Sequence, residues 1–328
     1  MAAAIALGER GRGRTAPNPH VGCLIVRDDT VVGRGWTQPG GRPHAEAVAL
    51  AEAGDAARGA TVYVTLEPCA HAGGRGPACV DSLVEAAPAR IVLAAGDPDP
   101  RTNGAGIARL RAAGIAVETG ICGAEAEAGM AGFFSRVRRG RPFVTLKLAL
   151  SIDGRIALLS GESQWITGED ARAHAHLERA RADMILVGRG TYEADSPRLD
   201  VRLEGLEDFS PRRALLTGGE APEGWERIAA PADIAGLAEV NDLLVEGGAG
   251  AATAFLKADL VDRLLVYRAP ILIGEGRPAV GDLGLAGLGG AHGRWRQTGS
   301  RALGEDRLET YDRIRDPHTR SLPKGVFP

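Results

Sequence analysis

One histidine and two cysteines in the first quarter of the chain constrain its fold more than any other feature. His44-Ala45-Glu46 comes first, Glu67-Pro68-Cys69 follows, and Cys79 completes the set. A neutral imidazole and two thiolates are ligands that zinc prefers, and three protein ligands leave the fourth position of the metal open for water. The chain is therefore expected to fold so that these three side chains meet at one point.

The residues around the three ligands predict the elements that carry them. Good helix formers follow Pro43 and predict a helix over 44–53, which opens with His44 and Glu46. The β-branched run 61–66 predicts a buried strand that delivers Cys69 at its end. A second helix is predicted over 77–87, and two helix N-termini at one metal favour thiolates electrostatically.

Glu46 has the position of a proton carrier beside this site. Zinc lowers the pKa of a bound water from 15.7 to about 7. A glutamate that is not a ligand can take the proton of that water and return it to the ring nitrogen and the departing ammonia. An isolated HxE triplet or a pair of core cysteines is common, but the ordered combination is the H-x-E…P-C…C arrangement of zinc-dependent base deaminases.

Composition limits the remaining classes of protein. The 328 residues suffice for two domains, and a net charge of −3 gives no reason to expect a nucleic-acid partner. Four cysteines are too few for a disulfide scaffold, and no apolar run is long enough to span a membrane. We expect a cytoplasmic enzyme with a small-molecule substrate. The 46 glycines, about twice the usual share, are interpreted as genome composition.

Alternating strand and helix patterns continue along the whole chain and predict an α/β protein. The basic, Gly- and Pro-terminated segment 136–142 predicts a boundary between domains 1–140 and 141–328. In the first domain we predict a hairpin of strands 21–26 and 31–35, a strand over 90–95 and a helix over 124–138. In the second we predict strands over 143–150, 184–187, 242–245 and 263–267. Helices are predicted from a capping pair at Thr167 to Arg181 and over 251–258, and a hairpin near Trp295 and Leu308.

The spacing of the two cysteines points to one family. Nine residues lie between Cys69 and Cys79, whereas cytidine and single-base deaminases typically have two. With the segments 17–23 (PNPHVGC) and 96–100 (GDPDP), the long loop resembles the deaminase half of the bifunctional riboflavin-biosynthesis deaminase–reductases of the RibD type. In that family the loop reads PC-x-H-x-G-R-T-P-P-C; here it has one extra residue, and Gly76 and Ala78 replace the usual Thr and Pro.

The second half carries matching blocks in the family order. The segment 147–155 reads K-x-A-x-S-x-D-G-R, and 160–167, 179–183, 195–202 and 246–248 follow it. The turn 188–191 (GRGT) also resembles the cofactor-binding turn of dihydrofolate reductase, although no segment is a complete GxGxxG fingerprint. The resemblance implies a cytidine-deaminase-like three-layer domain followed by a dihydrofolate-reductase-like α/β domain.

The resemblance also implies two reactions. A zinc site of His44, Cys69 and Cys79, with Glu46 as catalytic residue, would convert 2,5-diamino-6-(5-phosphoribosylamino)pyrimidin-4-one into 5-amino-6-(5-phosphoribosylamino)uracil. The second domain would reduce the ribosyl chain to ribityl with NADPH, and Lys147 is a candidate proton donor there. A homo-oligomer is expected. The implied NADPH-binding residues are Ala149, Trp165, Thr191, Asp195, Gly248, Ala249, Gly250, Ala251 and Ala252. The implied substrate-binding residues are Ser163, Arg179, Leu199, Arg202 and Glu246.

Three other interpretations stay open from the sequence. The chain can be a zinc deaminase of another small nucleobase or nucleoside, with a second domain that performs a different pteridine-like reduction. It can be monofunctional, if the altered loop 73–78 impairs deamination. It can be a non-enzymatic binding module, although intact His44, Glu46, Cys69 and Cys79 argue against a silent zinc site.

Overall fold

The computed structural model describes residues 1–71 and 76–315, and two separate mixed sheets organise them. The chain consists of two compact units, Met1–Gly140 and Arg141–Pro328, and most contacts between residues lie within one unit or the other. Each unit has a hydrophobic core of its own. Within the described ranges, every helix is too short or too polar to cross a membrane.

The first unit contains five strands in one sheet. These are β1 (Gly22–Arg27), β2 (Thr30–Trp36), β3 (Thr61–Leu66), β4 (Arg90–Ala95) and β5 (Ala116–Thr119). The helices are α1 (Ala2–Gly8), α2 (Ala45–Ala53), α3 (Cys79–Ala86), α4 (Ala105–Ala112), α5 (Gly123–Gly129) and α6 (Ala131–Arg139). The strand order is β2-β1-β3-β4-β5; β1 is antiparallel to both neighbours, and β3, β4 and β5 are parallel.

Close backbone packing places helices on both faces of this sheet. A Cβ atom at Gly35 would lie 2.0 Å from the carbonyl oxygen of Ala45 in α2, and one at Gly22 would lie 1.9 Å from that of Ala4 in α1. Gly35 pairs with Cys23, whose side chain points to the face opposite that of its neighbour Gly22. The unit therefore has three layers, and the interpretation of the glycines as mere composition is wrong at these two positions.

The second unit contains an eight-stranded sheet and a two-stranded ribbon. Its strands are β6 (Phe143–Leu150), β7 (Arg155–Leu158), β8 (Met184–Gly188), β9 (Arg212–Leu216), β10 (Glu226–Ile228), β11 (Asp242–Val245), β12 (Arg263–Arg268), β13 (Gly276–Pro278), β14 (Trp295–Leu303) and β15 (Asp306–Arg313). Its helices are α7 (Glu169–Ala180), α8 (Arg189–Asp195) and α9 (Ala249–Lys257). The order of the large sheet is β10-β9-β8-β11-β6-β12-β15-β14, and β7 pairs with β13.

Parallel pairing in the middle of the large sheet brings the ends of β8, β11 and β6 to one edge. β11 is parallel to both β8 and β6, and Val245 is the partner of Leu146. The residues that follow this pair are therefore neighbours: Glu246 comes directly after β11, and Lys147 lies within β6, which continues to Leu150. In open parallel sheets this edge is where ligands bind.

The expectation of two α/β domains is confirmed, and the predicted strands 61–66, 90–95, 143–150 and 242–245 have the observed bounds. Three helix predictions were wrong in detail. The capping pair at Thr167 is absent, because the Gly168 N–H donates to Asp306 Oδ2 at 2.7 Å and the helix begins at Glu169. The predicted helix 124–138 is two helices that are interrupted at Met130. The helix predicted over 251–258 begins two residues earlier, at Ala249.

A buried ion pair ties the start of the second unit to its sheet. Arg141 donates to Asp262 with two nitrogens, at 2.6 and 2.9 Å, and the two side chains are only 10% and 3% exposed. Burial alone would raise the pKa of Asp262, but the hydrogen bonds and charge of Arg141 outweigh it and lower this pKa. Arg315 adds a second, weaker contact at 3.2 Å.

This pair predicts how the second unit responds to mutation and pH. A fragment 141–328 should fold alone, and Arg141→Ala should lower its free energy of unfolding by about 3 kcal/mol, because the buried Asp262 carboxylate loses its closest cation and keeps only the longer contact with Arg315. A carboxyl whose folded pKa is lowered stabilises above its unfolded pKa and loses that contribution as pH falls. The difference in free energy of unfolding between the unmutated fragment and its Arg141→Ala variant should therefore shrink below about pH 4.

Urea unfolding of the fragment 141–328 and of its Arg141→Ala variant, at pH 7 and at acidic pH, measures this difference. Arg212→Ala is the control, since the Arg212–Glu226 pair is 46% and 40% exposed and exposed pairs contribute at most about 1 kcal/mol. Equal effects of the two substitutions, or an insoluble fragment, would show that Arg141 does not stabilise an independent unit.

Candidate active sites

The three predicted metal ligands meet where β3 ends and two helices begin. His44 is the N-cap of α2, Cys79 is the first residue of α3, and Cys69 follows β3 by three residues. The Nδ1 atom of His44 is 3.2 Å from the Cys79 sulfur and 3.7 Å from the Cys69 sulfur. Among the described residues this cluster comprises one nitrogen and two sulfur ligands, all within 4.8 Å of one another. The set fits zinc with a coordination position left open.

A hydrogen bond between the two thiols shifts their pKa values in opposite directions. The pKa of Cys69 is lowered to about 4, chiefly by its hydrogen bond with the Cys79 thiol, and His44 and the Cys79 N–H add to the effect against burial. The same hydrogen bond, followed by burial, raises the pKa of Cys79. Cys69 is thus the first thiolate, and it also accepts the backbone N–H of Cys79 at 3.3 Å. The helix α3 begins at this sulfur, which favours negative charge there.

Glu46 lies beside the ligands in the first turn of α2 and is 3% exposed. Burial raises its pKa, although the neighbouring His44 and a hydrogen bond with Cys79 oppose that shift. The buried Glu46 carboxylate contacts Cys79 but is not one of the three clustered metal ligands. It can hold and release a proton next to the open coordination position.

A cavity of about 300 Å³ opens beside the ligands. The sequence segments that carry the family resemblance converge on it, since Pro17, Asn18, Asp97 and Asp99 line its wall together with His44, Glu46 and Cys69. Burial raises the pKa of Asp97 to about 6, and the charges of Asp99 and Glu67 add to this effect. Of the loop 70–78 with its altered residues, positions 72–75 lie outside the described residues.

Glu67 has a positioning role that the sequence reasoning missed. Its carboxylate is 3% exposed and accepts the N–H groups of Gly104 at 3.0 Å and Ile107 at 3.2 Å. Glu67 thereby caps the N-terminus of α4, although about forty positions separate them in the sequence. It also accepts a hydrogen bond from the Asp97 N–H at 3.4 Å. The signal was available in the Glu-Pro-Cys triplet, because a carboxylate directly after a buried strand needs donors.

The second cluster of charged residues surrounds Glu246 at the carboxyl edge of the large sheet. Arg179 of α7 donates to both carboxylate oxygens at 2.8 Å, and the Lys147 ammonium lies 3.6 Å away. Burial alone would raise the pKa of Glu246, but Lys147 and the Arg179 hydrogen bonds lower it to about 2. Arg179 thus pairs with a carboxylate 67 positions away in the sequence. Glu246 remains ionised and holds both cations.

The loop 196–202 brings Arg202 to the same region. Arg179 Nη1 donates to the carbonyl oxygen of Asp200 at 3.1 Å. Arg202 is half exposed and lies 3.8 Å from the Asp200 carboxylate. The side chain of Leu199 is buried in the core, with a positive φ of 56°, so that only its backbone is available to a ligand. Arg202 thus presents a more accessible charge than Arg179, which is 14% exposed.

A tight backbone crossing joins the turns after β8 and β11. A Cβ atom at Gly247 would lie 2.6 Å from the Ala251 Cβ, and the Gly248 N–H donates to Thr191 Oγ1 at 2.9 Å. The next N–H groups, of Ala249, Gly250 and Ala251, open α9 and have no acceptor within the helix. This cradle without side chains fits the diphosphate of NADPH. Ala252 follows in the same turn.

The other predicted cofactor and substrate residues lie around this edge. Ala149 is on β6, and Asp195 is exposed at the end of α8. Trp165 is 64% exposed, with the Arg172 guanidinium 4.8 Å from its ring centre, and Ser163 lies in the same segment before α7. Within the described residues, no hydrogen bond, ion pair or ring contact joins Ser163 or Trp165 to the Glu246 cluster.

Comparisons with known families match both units. The model of the RibD C-terminal domain matches residues 142–221 and 233–308, and that of the cytidine and deoxycytidylate deaminase zinc-binding region matches residues 1–95. The riboflavin biosynthesis protein RibD of Escherichia coli K12 is 41% identical over 323 residues, which cover 84% of this chain and 88% of that protein. RibD of Mycobacterium tuberculosis H37Rv is 41% identical over 325 residues, with 94% and 95% covered.

Solved structures agree with these matches. Form 2 of Acinetobacter baumannii RibD has a TM-score of 0.85 at 35% identity and covers 95% of this chain and 97% of its own. A Thermotoga maritima protein described as a diaminohydroxyphosphoribosylaminopyrimidine deaminase/5-amino-6-(5-phosphoribosylamino)uracil reductase has a TM-score of 0.84 at 28% identity, with 96% and 97% covered. The resemblance stated from the motifs is confirmed.

The geometry of the ligand cluster predicts the effect of losing one thiolate. Cys69→Ser and Cys79→Ser should each reduce bound zinc from about one ion per chain to a small fraction, because a three-ligand site depends on every strong ligand. Elemental analysis of the purified full chain measures this content. Cys122→Ser is the matched control, since Cys122 is a free thiol outside the cluster and should leave the metal in place. Full zinc in both ligand variants would refute the assignment.

Proposed function

The chain belongs to the RibD family of riboflavin-biosynthesis proteins, and on that basis we propose which of its residues perform each of two successive reactions. It is a bifunctional enzyme with a zinc-dependent deaminase activity and an NADPH-dependent reductase activity. We assign deamination to residues 1–140 and reduction to residues 141–328. One observation carries this assignment: each unit contains its own cluster of chemically active side chains, one of thiols and one of charges.

In the first reaction His44, Cys69 and Cys79 hold zinc. When bound, zinc acts as a Lewis acid that makes water acidic enough to ionise near neutral pH. Glu46 takes the proton of the attacking water as its oxygen forms a bond to the amino-bearing ring carbon. It delivers that proton to the adjacent ring nitrogen. The proton of the new hydroxyl group then passes through Glu46 to the amino group, which leaves as ammonia while the C=O bond forms. The burial of Glu46 beside the ligands supports this role.

In the second reaction Lys147 and Glu246 act as a pair on the ribose. The Lys147 ammonium donates a proton to the ribose ring oxygen as the ring opens, and Glu246, 3.6 Å away, orients that ammonium. NADPH supplies the hydride for the sugar carbon. Arg179 holds Glu246 in place with its two-pronged contact and thus contributes to the substrate site through this carboxylate.

The remaining predicted residues divide between cofactor and substrate. The turn of Gly248 to Ala252 and Thr191 would hold the cofactor phosphates, and Ala149, Trp165 and Asp195 would line the rest of its site. Arg202, which is half exposed and lies 3.8 Å from the Asp200 carboxylate, would bind the ribose phosphate. Ser163 and the Leu199 backbone would contact the substrate.

Homo-oligomer formation, a cytoplasmic location and the absence of nucleic-acid and membrane partners stay predictions. The last three are expected from the composition, the charge and the lack of a long apolar run in the sequence. Three leucines of the second unit, Leu159, Leu272 and Leu288, are 63%, 74% and 80% exposed, which is compatible with self-association.

The assignment of Glu46 predicts a variant that separates the two activities. Glu46→Gln should keep its zinc but lose deamination by about 10²–10⁴-fold, since the amide cannot carry the proton. Reduction of 5-amino-6-(5-phosphoribosylamino)uracil by the same preparation is the internal control and should be unchanged. Near-normal deamination would remove Glu46 from the mechanism.

The assignment of Arg202 predicts a defect in substrate affinity. Arg202→Lys should lower kcat/KM of the reductase by about ten- to a hundredfold, mainly through KM, because a point charge replaces a planar fork and a charged hydrogen bond contributes about 1.5–3 kcal/mol. NADPH binding and deamination should be unaffected. Arg198→Lys, four residues earlier and 69% exposed, is the matched control. Equal losses in both variants would mean that general loop charge, and not Arg202, holds the phosphate.

A further inference from the structure

A histidine that none of the implied roles includes lies against the loop of Arg202. His176 is on α7, three residues before Arg179, and is partly buried. Its Nδ1 atom lies 3.1 Å from the carbonyl oxygen of Asp200 and 3.2 Å from the backbone nitrogen of Arg202. Its Nε2 atom lies 3.4 Å from Nη2 of the Arg202 side chain. Both ring nitrogens therefore face residues 200–202.

These contacts favour an uncharged ring in the free protein. The Arg202 side chain and backbone N–H are donors, so at least one ring nitrogen must accept, and a doubly protonated ring would oppose them. Burial, followed by the charges of Arg179 and Arg202, lowers the pKa of His176. The opposing groups are the Asp200 carbonyl and Glu246, whose charge Lys147 and Arg179 already balance.

We propose that His176 is a third member of the phosphate site, which positions Arg202 in its neutral form and takes up a proton from solvent when a phosphate dianion binds. The ligand class is a phosphate monoester, here the ribose 5-phosphate end of the substrate. This inference rests on the proposed role of Arg202 and deepens it.

The distances support a direct contact in the bound state. A phosphate oxygen that accepts a hydrogen bond from Arg202 Nη2 lies about 2.8 Å from it. Because Nε2 is 3.4 Å from the same nitrogen, that oxygen can lie within hydrogen-bond distance of the ring as well. The dianion reverses the local charge that disfavours imidazolium, and Nε2 changes from an acceptor to a donor. The proton comes from the buffer, so the step is balanced.

Calorimetric titration of ribose 5-phosphate into the full-length, zinc-loaded protein saturated with NADP⁺ tests the proposal. Titrations at pH 7.5 in buffers with different ionisation enthalpies give the number of protons that are taken up on binding. The wild type should take up a large fraction of one proton, and its affinity should fall with rising pH by up to about tenfold per unit, the limit for one linked proton. His176→Gln should bind with no such uptake.

Comparison of variants separates positioning from proton uptake. Glutamine can still accept from the Arg202 N–H, so His176→Gln should raise the reductase KM less than His176→Ala, in which we expect about a tenfold increase at similar kcat. His292→Gln, which removes an exposed histidine of the same unit, is the control and should behave as wild type. Deamination should be equal in all four proteins.

Two outcomes would overturn the proposal, and they can be distinguished. If Arg202→Lys binds ribose 5-phosphate as tightly as wild type, the phosphate clamp of the proposed function fails and this inference fails with it. If Arg202→Lys weakens binding but wild type and His176→Gln take up equal numbers of protons, the clamp stands and His176 is not its proton acceptor.

Discussion

Parallel pairing of neighbouring strands is the constraint on which both candidate sites depend. In the first unit β3 and β4 run in the same direction, so Cys69 and Asp97, which follow them, reach one edge. In the second unit the parallel pairing of β6 and β11 places Glu246, which follows β11, beside Lys147 within β6. The helices α3 and α9 begin near these positions with N–H groups that have no acceptor within the helix, and such helix starts stabilise thiolates or phosphates. The chemistry of the two sites differs, but their placement has one physical cause.

Each site also contains a carboxylate that is buried at a cost and must be compensated. Glu67 is stabilised by backbone donors, and it connects the strand that carries Cys69 to the loop of Asp97. Glu246 is stabilised by two cations that outweigh its burial and keep it ionised. For Glu46 burial outweighs the nearby His44 and the hydrogen bond with Cys79, so its pKa is raised. The two compensated carboxylates are suited to holding other groups in place, whereas Glu46 is suited to moving a proton.

The parts of this structure that depend on local sequence were predictable. The residue types and order of the metal ligands, and the β-branched runs of the central strands, are local properties, and the structure agrees with them. Contacts between distant segments were not. Nothing near Arg179 or Glu246 indicates that they pair across 67 positions, and only the family resemblance grouped them. The local sequence does not distinguish Gly35 from the other glycines, because its importance comes from the close packing of α2 against it. His176 belongs to no motif, because its partners are backbone and side-chain atoms of a loop 24 to 26 residues away.

The central claim is that one chain carries out two successive reactions at two separate sites. Mass spectrometry of the products formed from 2,5-diamino-6-(5-phosphoribosylamino)pyrimidin-4-one, with and without NADPH, tests it most directly. Without NADPH the zinc-loaded protein should yield only the compound in which the amino group is replaced by an oxo group and the ribosyl chain is intact. With NADPH the same compound should gain a pair of hydrogens on its sugar chain. Reduction of the sugar with the amino group retained, or no deamination by the zinc-loaded protein, would contradict the account.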